Sequence, residues 1–352
     1  MMPNNTRLKP GRGGSRGRGR RPTYVVIVPR STATGGQDAG SHRRGHSPVS
    51  ETDEARPAAG SSTRHVGHSP QPPHTTHVER PHPRNRLNDL SGREWVHFLS
   101  SVEPTAFPTT GPHSYGHNLR RVHPSPKPPQ LMRRIVEFFT KKGEWVLDPF
   151  MGVGGTLLGC SLAGRNAVGI DLSPHYVDIY YQVSRQEGIA PQTAIVGDAR
   201  HMRDYPEVAG RVFDLVLTDP PYSDMMARPQ NGERKKKTGV SAPTPFTASP
   251  HDLGNLPYER FLTELTEIMA GALTVLKPRG YLVLFAKDLQ PDEHHHNMLH
   301  ADIVVRFSAA LDVDFRGYKI WYDRTPRLYP FGYPYRFVAN QLHQYILVFQ
   351  KR

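Results

Sequence analysis

The chain has 352 residues, of which 36% are hydrophobic, and a formal net charge of +13. That length fills one large domain or two small ones. No run of 18 apolar residues occurs, so no membrane-spanning helix is expected. The lone cysteine, Cys160, excludes an internal disulfide and suits a reducing compartment. The N-terminus lacks a signal-peptide core, so the expected location is the cytoplasm, with the nucleoid as an option within it.

The charge is uneven. Residues 1–90 hold 15 Lys and Arg against 6 Asp and Glu, so +9 of the +13 lies there. The segment opens with an Arg/Gly run at 11–21 and stays Ser-, His- and Pro-rich to Arg86. Such composition cannot bury enough apolar surface to offset chain entropy, so residues 1–86 are read as a disordered basic tail. Its Arg/Gly start suits phosphate contacts with nucleic acid, and a merely solvated tail is the plainer alternative. Residues 24–28 form one apolar island, able to pair with the core or with nothing.

From Leu87 the chain reads as globular. A short helix is expected over 91–100, then a Pro/His-rich stretch, then an amphipathic helix over 131–139. Strands at 145–147, 167–170, 194–196 and 213–217 follow, with helices over 156–162 and 174–186 between them. Cys160 lies on the first of those helices, as a small buried residue rather than a nucleophile. A long helix spans 258–276, and the Lys277-Pro278-Arg279-Gly280 turn leads into a strand at 281–285. A helix over 300–311 and strands at 318–321 and 345–349 complete the pattern. Seven strands alternating with helices predict an α/β fold with a mostly parallel sheet covered on both faces. Ligands bind such sheets at the carboxyl ends of the strands.

Four of these strands end in aspartate. Asp148 opens a Gly-rich turn, Asp148-Pro149-Phe150-Met151-Gly152-Val153-Gly154-Gly155-Thr156, that leads into a helix start with free amide donors. Asp171 stands 23 residues later, placed to accept the hydroxyls of a ribose. Asp198 ends the third strand and could take an adenine amino group. Asp219 ends the fourth. Any one could be a helix cap, but the ordered set points to a site. The turn lacks the Lys-Ser/Thr of a triphosphate loop, and Asp148 would repel phosphate. A cationic, phosphate-free nucleoside such as S-adenosyl-L-methionine fits better.

The fourth strand runs into Asp219-Pro220-Pro221-Tyr222. This supplies an acidic acceptor, a stiff carbonyl-bearing turn and an aromatic ring, which suit an exocyclic amine on a planar base. With the 148–156 loop and His123-Pro124-Ser125-Pro126-Lys127-Pro128-Pro129, it resembles the amino-methylating DNA methyltransferases that act on adenine N6 or cytosine N4. The resemblance covers residues 115–286, in the order methionine-side motif, cofactor loop, catalytic motif. It implies a Rossmann-like S-adenosylmethionine-dependent methyltransferase fold over 87–352. It implies a cofactor site of Lys127, Asp148, Pro149, Phe150, Gly152, Gly154, Thr156, Asp171 and Asp198. Asp219 and the Pro220 carbonyl would accept the two amine N–H bonds, with Pro221 stiffening the turn and Tyr222 stacking on a flipped base. Asp at the head of the motif favours adenine.

Substrate contacts are expected elsewhere. Residues 225–257 read as a mobile basic insertion in which Lys235, Lys236 and Lys237 could grip phosphates. The segment 318–343 is aromatic-rich, and its Tyr333, Tyr335 and Arg336 could hold a strand or simply pack. His294, His295 and His296 read as a solvated loop rather than a metal site. The chain shows no large target-recognition segment, so a specificity partner or cognate nuclease stays open. Two other readings remain: an RNA methyltransferase acting on a guanine amino group, and a non-catalytic nucleic-acid-binding protein on a methylase fold.

Overall fold

The structure, a computed structural model, describes residues 25–26, 80–224, 246–288, 298–331, 333–335 and 337–352. Its elements in chain order begin with β1 (Val25–Val26), α1 (Gly92–Phe98), β2 (Val102–Thr105), α2 (His117–Arg120) and α3 (Pro129–Phe139). Next come β3 (Trp145–Asp148), α4 (Gly155–Ala163), β4 (Asn166–Asp171), α5 (Pro174–Glu187), β5 (Thr193–Val196) and β6 (Phe213–Thr218). The chain ends with α6 (Tyr258–Val275), β7 (Leu276–Ala286), α7 (Leu299–Ala310), β8 (Val313–Asp323) and β9 (His343–Lys351). Among the described residues no helix is long and apolar enough to cross a membrane.

One sheet holds all the strands, in the order β1-β5-β4-β3-β6-β7-β9-β8-β2. The seven expected strands are its centre, and β1 and β2 extend the two edges. Pairing is parallel from β5 through β7, while β9 runs antiparallel between β7 and β8. The apolar runs of β3 and β6 explain their central place: Val146, Leu147, Leu215, Val216 and Leu217 are fully buried, as strands covered on both faces must be. One face carries α3, α4 and α5, with Leu131, Leu157 and Val177 in its core. The other carries α6 and α7, with Phe261, Leu265 and Phe307. Cys160 is buried in the first of these cores, and burial pushes its thiol pKa up.

The chain winds outward from β3 through β4 to β5, then crosses back to β6 on the other side of β3. That reversal opens a crevice at the carboxyl ends of β3 and β6, the place where open α/β sheets bind ligands. Because β9 is antiparallel, its first residues meet the same rim: Tyr345 pairs with Ala286 on β7, and Gln344 with Trp321 on β8.

Several expectations change. The Pro/His-rich stretch before α3 contains β2, which pairs with β8, and α2. The Lys277–Gly280 turn is absorbed inside β7 as a bulge, where register passes from Phe213–Leu276 to Leu215–Tyr281. Lys277 there binds Asp214 at 2.8 Å, which holds the bulge against β6. The fold begins slightly before Leu87: the Asn85 carbonyl accepts from Lys141, and Asn88 donates to the Phe138 carbonyl at 2.6 Å. In the apolar island Val25 pairs with Val196 and Val26 with Ile195. The rest of the basic tail up to residue 79 lies outside the described residues, as do His294, His295 and His296.

The second half of the expected mobile insertion is packed. Asp252 is buried and accepts from the Thr247 amide and hydroxyl and from the Gly254 amide. A short 3-10 turn, Leu253–Asn255, follows it.

Candidate active site

The four aspartates do end four strands on one rim, and all line a single cleft. The turn after β3 forms its floor. Gly154 adopts φ +76°, and a Cβ there would lie 2.1 Å from the Tyr180 ring, so only glycine lets the turn settle on α5. Gly154 is thus a packing residue and, unlike Gly152 and Gly155, does not line the cleft. A Cβ on Gly155 would lie 2.7 Å from the Lys127 carbonyl, so glycine also admits the 123–129 segment.

Asp148 lies at the switch point. It is buried, and its Oδ1 accepts from the Thr218 hydroxyl at 2.7 Å and the Phe150 amide at 3.1 Å, tying β3 to β6. Burial pushes its pKa up to about 6. Asp171 accepts from the Gly152 amide on one oxygen and the Ser173 amide on the other, both at 2.8 Å. Burial pushes its pKa up to about 7, against those two hydrogen bonds. Asp171 therefore braces the turn as well as facing the cleft.

Asp198 lines the cleft and also has partners within the protein. Its carboxylate caps the turn after β5 and binds Arg200, whose guanidinium also reaches Glu264 and the His251 carbonyl. An adenine amino group would share Asp198 with that cation.

The 123–129 segment closes one side. His123 packs edge-on to Tyr176 and against Phe246, and burial beside Lys127 and Arg120 pushes its pKa down to about 3. It is neutral at physiological pH. Arg120 on α2 is buried beneath and donates to the Lys127 carbonyl, and its Nε has no partner among the described residues. Phe246, Thr247, His251, Asp252 and Leu253 supply the adjoining wall. Sequence reading missed this wall, because Pro- and Ser-rich composition hides its buried Asp252.

The Asp219-Pro220-Pro221-Tyr222 turn borders the cleft. Lys127 pairs with Oδ2 of Asp219, and the Tyr222 hydroxyl donates to Oδ1. Tyr222 is 4% exposed, with its hydroxyl 3.3 Å from Gln344 Oε1. The Asp219 carboxylate holds its hydroxyl inward, while the residue still lines the cleft. Of the expected substrate residues, Tyr333 and Tyr335 are 81% and 92% exposed. They lie in the β8–β9 connection, which leaves the sheet beside Gln344. Lys235, Lys236, Lys237 and Arg336 lie outside the described residues.

The donor set fits S-adenosylmethionine. Acidic acceptors suit a ribose and a cationic sulfur, apolar Phe150, Leu172 and Ile268 suit an adenine ring, and the α4 start offers amides. The Thr156 hydroxyl is buried at the cleft wall beside the Asp148 carboxylate.

A protein-family model for N6/N4 methyltransferases, described as DNA methylase, matches residues 59–182. That span holds the 123–129 segment, the glycine turn and Asp171, and ends before Asp219. The tRNA (guanine(10)-N2)-dimethyltransferase of Pyrococcus abyssi is 30% identical over 116 residues, 33% of this chain and 34% of the relative. The Type II methyltransferase M.Cfr9I of Citrobacter freundii is 44% identical over 61 residues, 17% of this chain and 20% of the relative. The Type II methyltransferase M2.DpnII of Streptococcus pneumoniae is 42% identical over 57 residues, 16% and 21%. The chain thus spans about a third of the first relative's length and about a fifth of the Type II enzymes'. Among solved structures, TrmN from Thermus thermophilus is 17% identical with a TM-score of 0.39, over 64% of this chain and 48% of that one. Over the matched span, residues 59–182, the chain is similar to the N6/N4 amino-methyltransferases.

Proposed function

We propose that the protein methylates an exocyclic amino group of a nucleic-acid base, in DNA, with adenine N6 as the preferred acceptor. The observation that carries this reading is the position of Asp219: it ends the strand beside β3, across the switch point from the glycine turn, on one cleft with Asp148 and Asp171. Donor and acceptor sites therefore meet at a single rim. S-adenosylmethionine supplies an electrophilic methyl group on a sulfonium, which leaves as a neutral thioether.

The chain's own residues do the rest by positioning. Asp171 fixes the turn through Gly152 and would hold the ribose of the bound donor. An exocyclic amine is a weak nucleophile, because its lone pair is delocalised into the ring. Asp219 and the Pro220 carbonyl accept its two N–H bonds, which favours a pyramidal nitrogen with its lone pair aimed across the cleft. As the nitrogen gains the methyl group it becomes cationic and sheds one proton, toward Asp219 or water. A base in a duplex must leave the stack to reach this depth. The exposed Tyr333 and Tyr335 would support its neighbours, and Lys235, Lys236, Lys237 and Arg336 their phosphates.

A second reading rests on the guanine-modifying tRNA relatives, which share the longest matched stretch of those named above. In it the same turn holds a guanine N2 amine in RNA. Incubation with tritiated donor and separate DNA and RNA pools, followed by nucleoside mass spectrometry, decides. N6-methyladenine in DNA supports the first reading, and N2-methylguanine in RNA replaces it with the second. No incorporation into either pool by folded, donor-binding protein overturns both.

A further inference from the structure

Lys127 was expected to contact the cofactor, and it does line the cleft. Its ammonium, however, is committed elsewhere. It pairs with Oδ2 of Asp219, with side chains 4% and 15% exposed. Three rings surround it: Phe285 at 5.2 Å and Tyr222 and Trp321 at 6.0 Å each from Nζ to the ring centroid. Such a box favours a cation through the ring faces. At the other end of the residue, Arg120 holds the Lys127 carbonyl and Gly155 leaves it room. Both ends of Lys127 are thus fixed by groups that are not ligands.

An aspartate carboxylate turns easily, because its last torsion has a broad, two-fold profile. An ammonium held on Oδ2 removes that freedom. The plane of the carboxylate is set, with Oδ1 turned to the Tyr222 hydroxyl, whose place the amine would take or share. We propose that Lys127 is a positioning residue: it orients Asp219 so that Oδ1 receives the amine proton, and it does not bind the methyl donor. This rests on the reading of Asp219 as the amine acceptor.

The test uses the full chain with Lys127→Ala and, as a variant that keeps the packing volume, Lys127→Met. Donor affinity is measured by calorimetry and methyl transfer at saturating donor on the nucleic acid that the wild type modifies. The expected result is a fall in kcat of about 100-fold, the scale of an ångström-level misplacement, with donor Kd within about twofold. Ethylammonium should restore at least about tenfold of the Lys127→Ala rate in a saturable way, by filling the aromatic box, and ethanol should not. A donor Kd raised about tenfold with kcat intact makes Lys127 a donor ligand and overturns the proposal. So does a folded, donor-binding Lys127→Ala protein that no amine rescues. A full rate in Asp219→Ala would instead remove the reading on which the proposal rests, so the two failures are told apart.

Discussion

The Tyr222 hydroxyl donates to Oδ1 of Asp219, the oxygen proposed to receive the substrate amine, and lies 3.3 Å from Gln344 Oε1. The hydroxyl competes with the amine for the lone pairs of Oδ1. Gln344 offers a second acceptor within reach, so base entry can move the hydroxyl from one to the other. Gln344→Leu removes that acceptor and strands the hydroxyl, at a cost of about 1 kcal/mol or roughly three- to tenfold in the single-turnover rate. Tyr222→Phe keeps the ring and removes the hydroxyl. In that background Gln344→Leu should cost nothing more. Fully additive losses in the double variant would show that the two residues act separately.

Asp219→Asn and Lys127→Met test the same pair through stability. Each single change leaves one buried member without its countercharge, which costs about 3–5 kcal/mol where a charge remains. Lys127 is the more enclosed partner. Asp219→Asn should therefore lower the melting temperature more than the double variant does. A double variant less stable than both singles would count against a coupled pair. Methyl transfer should be lost in every protein that lacks the Asp219 carboxylate, while donor binding persists.

The cleft has a built-in pH dependence. Burial raises Asp171 to about 7 and Asp148 to about 6, both above the ordinary 3.8. Between 3.8 and about 7 the folded protein holds protons that the unfolded chain has released. The stability these protonated carboxyls confer is therefore present at low pH and lost as pH rises through 6 and 7. A donor that is cationic and offers ribose hydroxyls prefers the ionised form. Its Kd should weaken by up to about tenfold per pH unit below 7. Calorimetry between pH 5 and 8 measures this, and Asp171→Asn should flatten both the affinity profile and the melting profile. A Kd that does not change across that range would mean Asp171 does not face the donor.

What the sequence disclosed follows from distance along the chain. Strand-end aspartates and the glycine turn are local signals, and each lies where its neighbours require. The sheet order is not local: nothing in residues 343–351 announces that β9 enters between β7 and β8. Gln344 therefore could not be connected with Tyr222, 122 positions away. The Lys127–Asp219 pair, 92 apart, was hidden for the same reason. Phe246 and Asp252 were masked differently, by a composition that resembles a linker but whose backbone donors converge on one buried carboxylate.

The β8–β9 connection supplies the last prediction. Tyr333, Tyr335 and Phe337 are 81%, 92% and 91% exposed, which is uncommon for large rings. The connection leaves the sheet at the rim that holds Tyr222 and Gln344. Rings displayed on a connection that leaves the proposed base-binding rim would serve as stacking platforms, worth about 1–3 kcal/mol per base. Tyr335→Ala should weaken nucleic-acid binding by that amount, or roughly five- to 150-fold, and raise KM while kcat and donor Kd hold. Because the ring touches little of its own fold, the melting temperature should stay put. Fluorescence anisotropy with labelled single- and double-stranded oligonucleotides reads the effect directly. Unchanged affinity for both would assign the rings to some other surface contact and leave substrate grip to the basic segments.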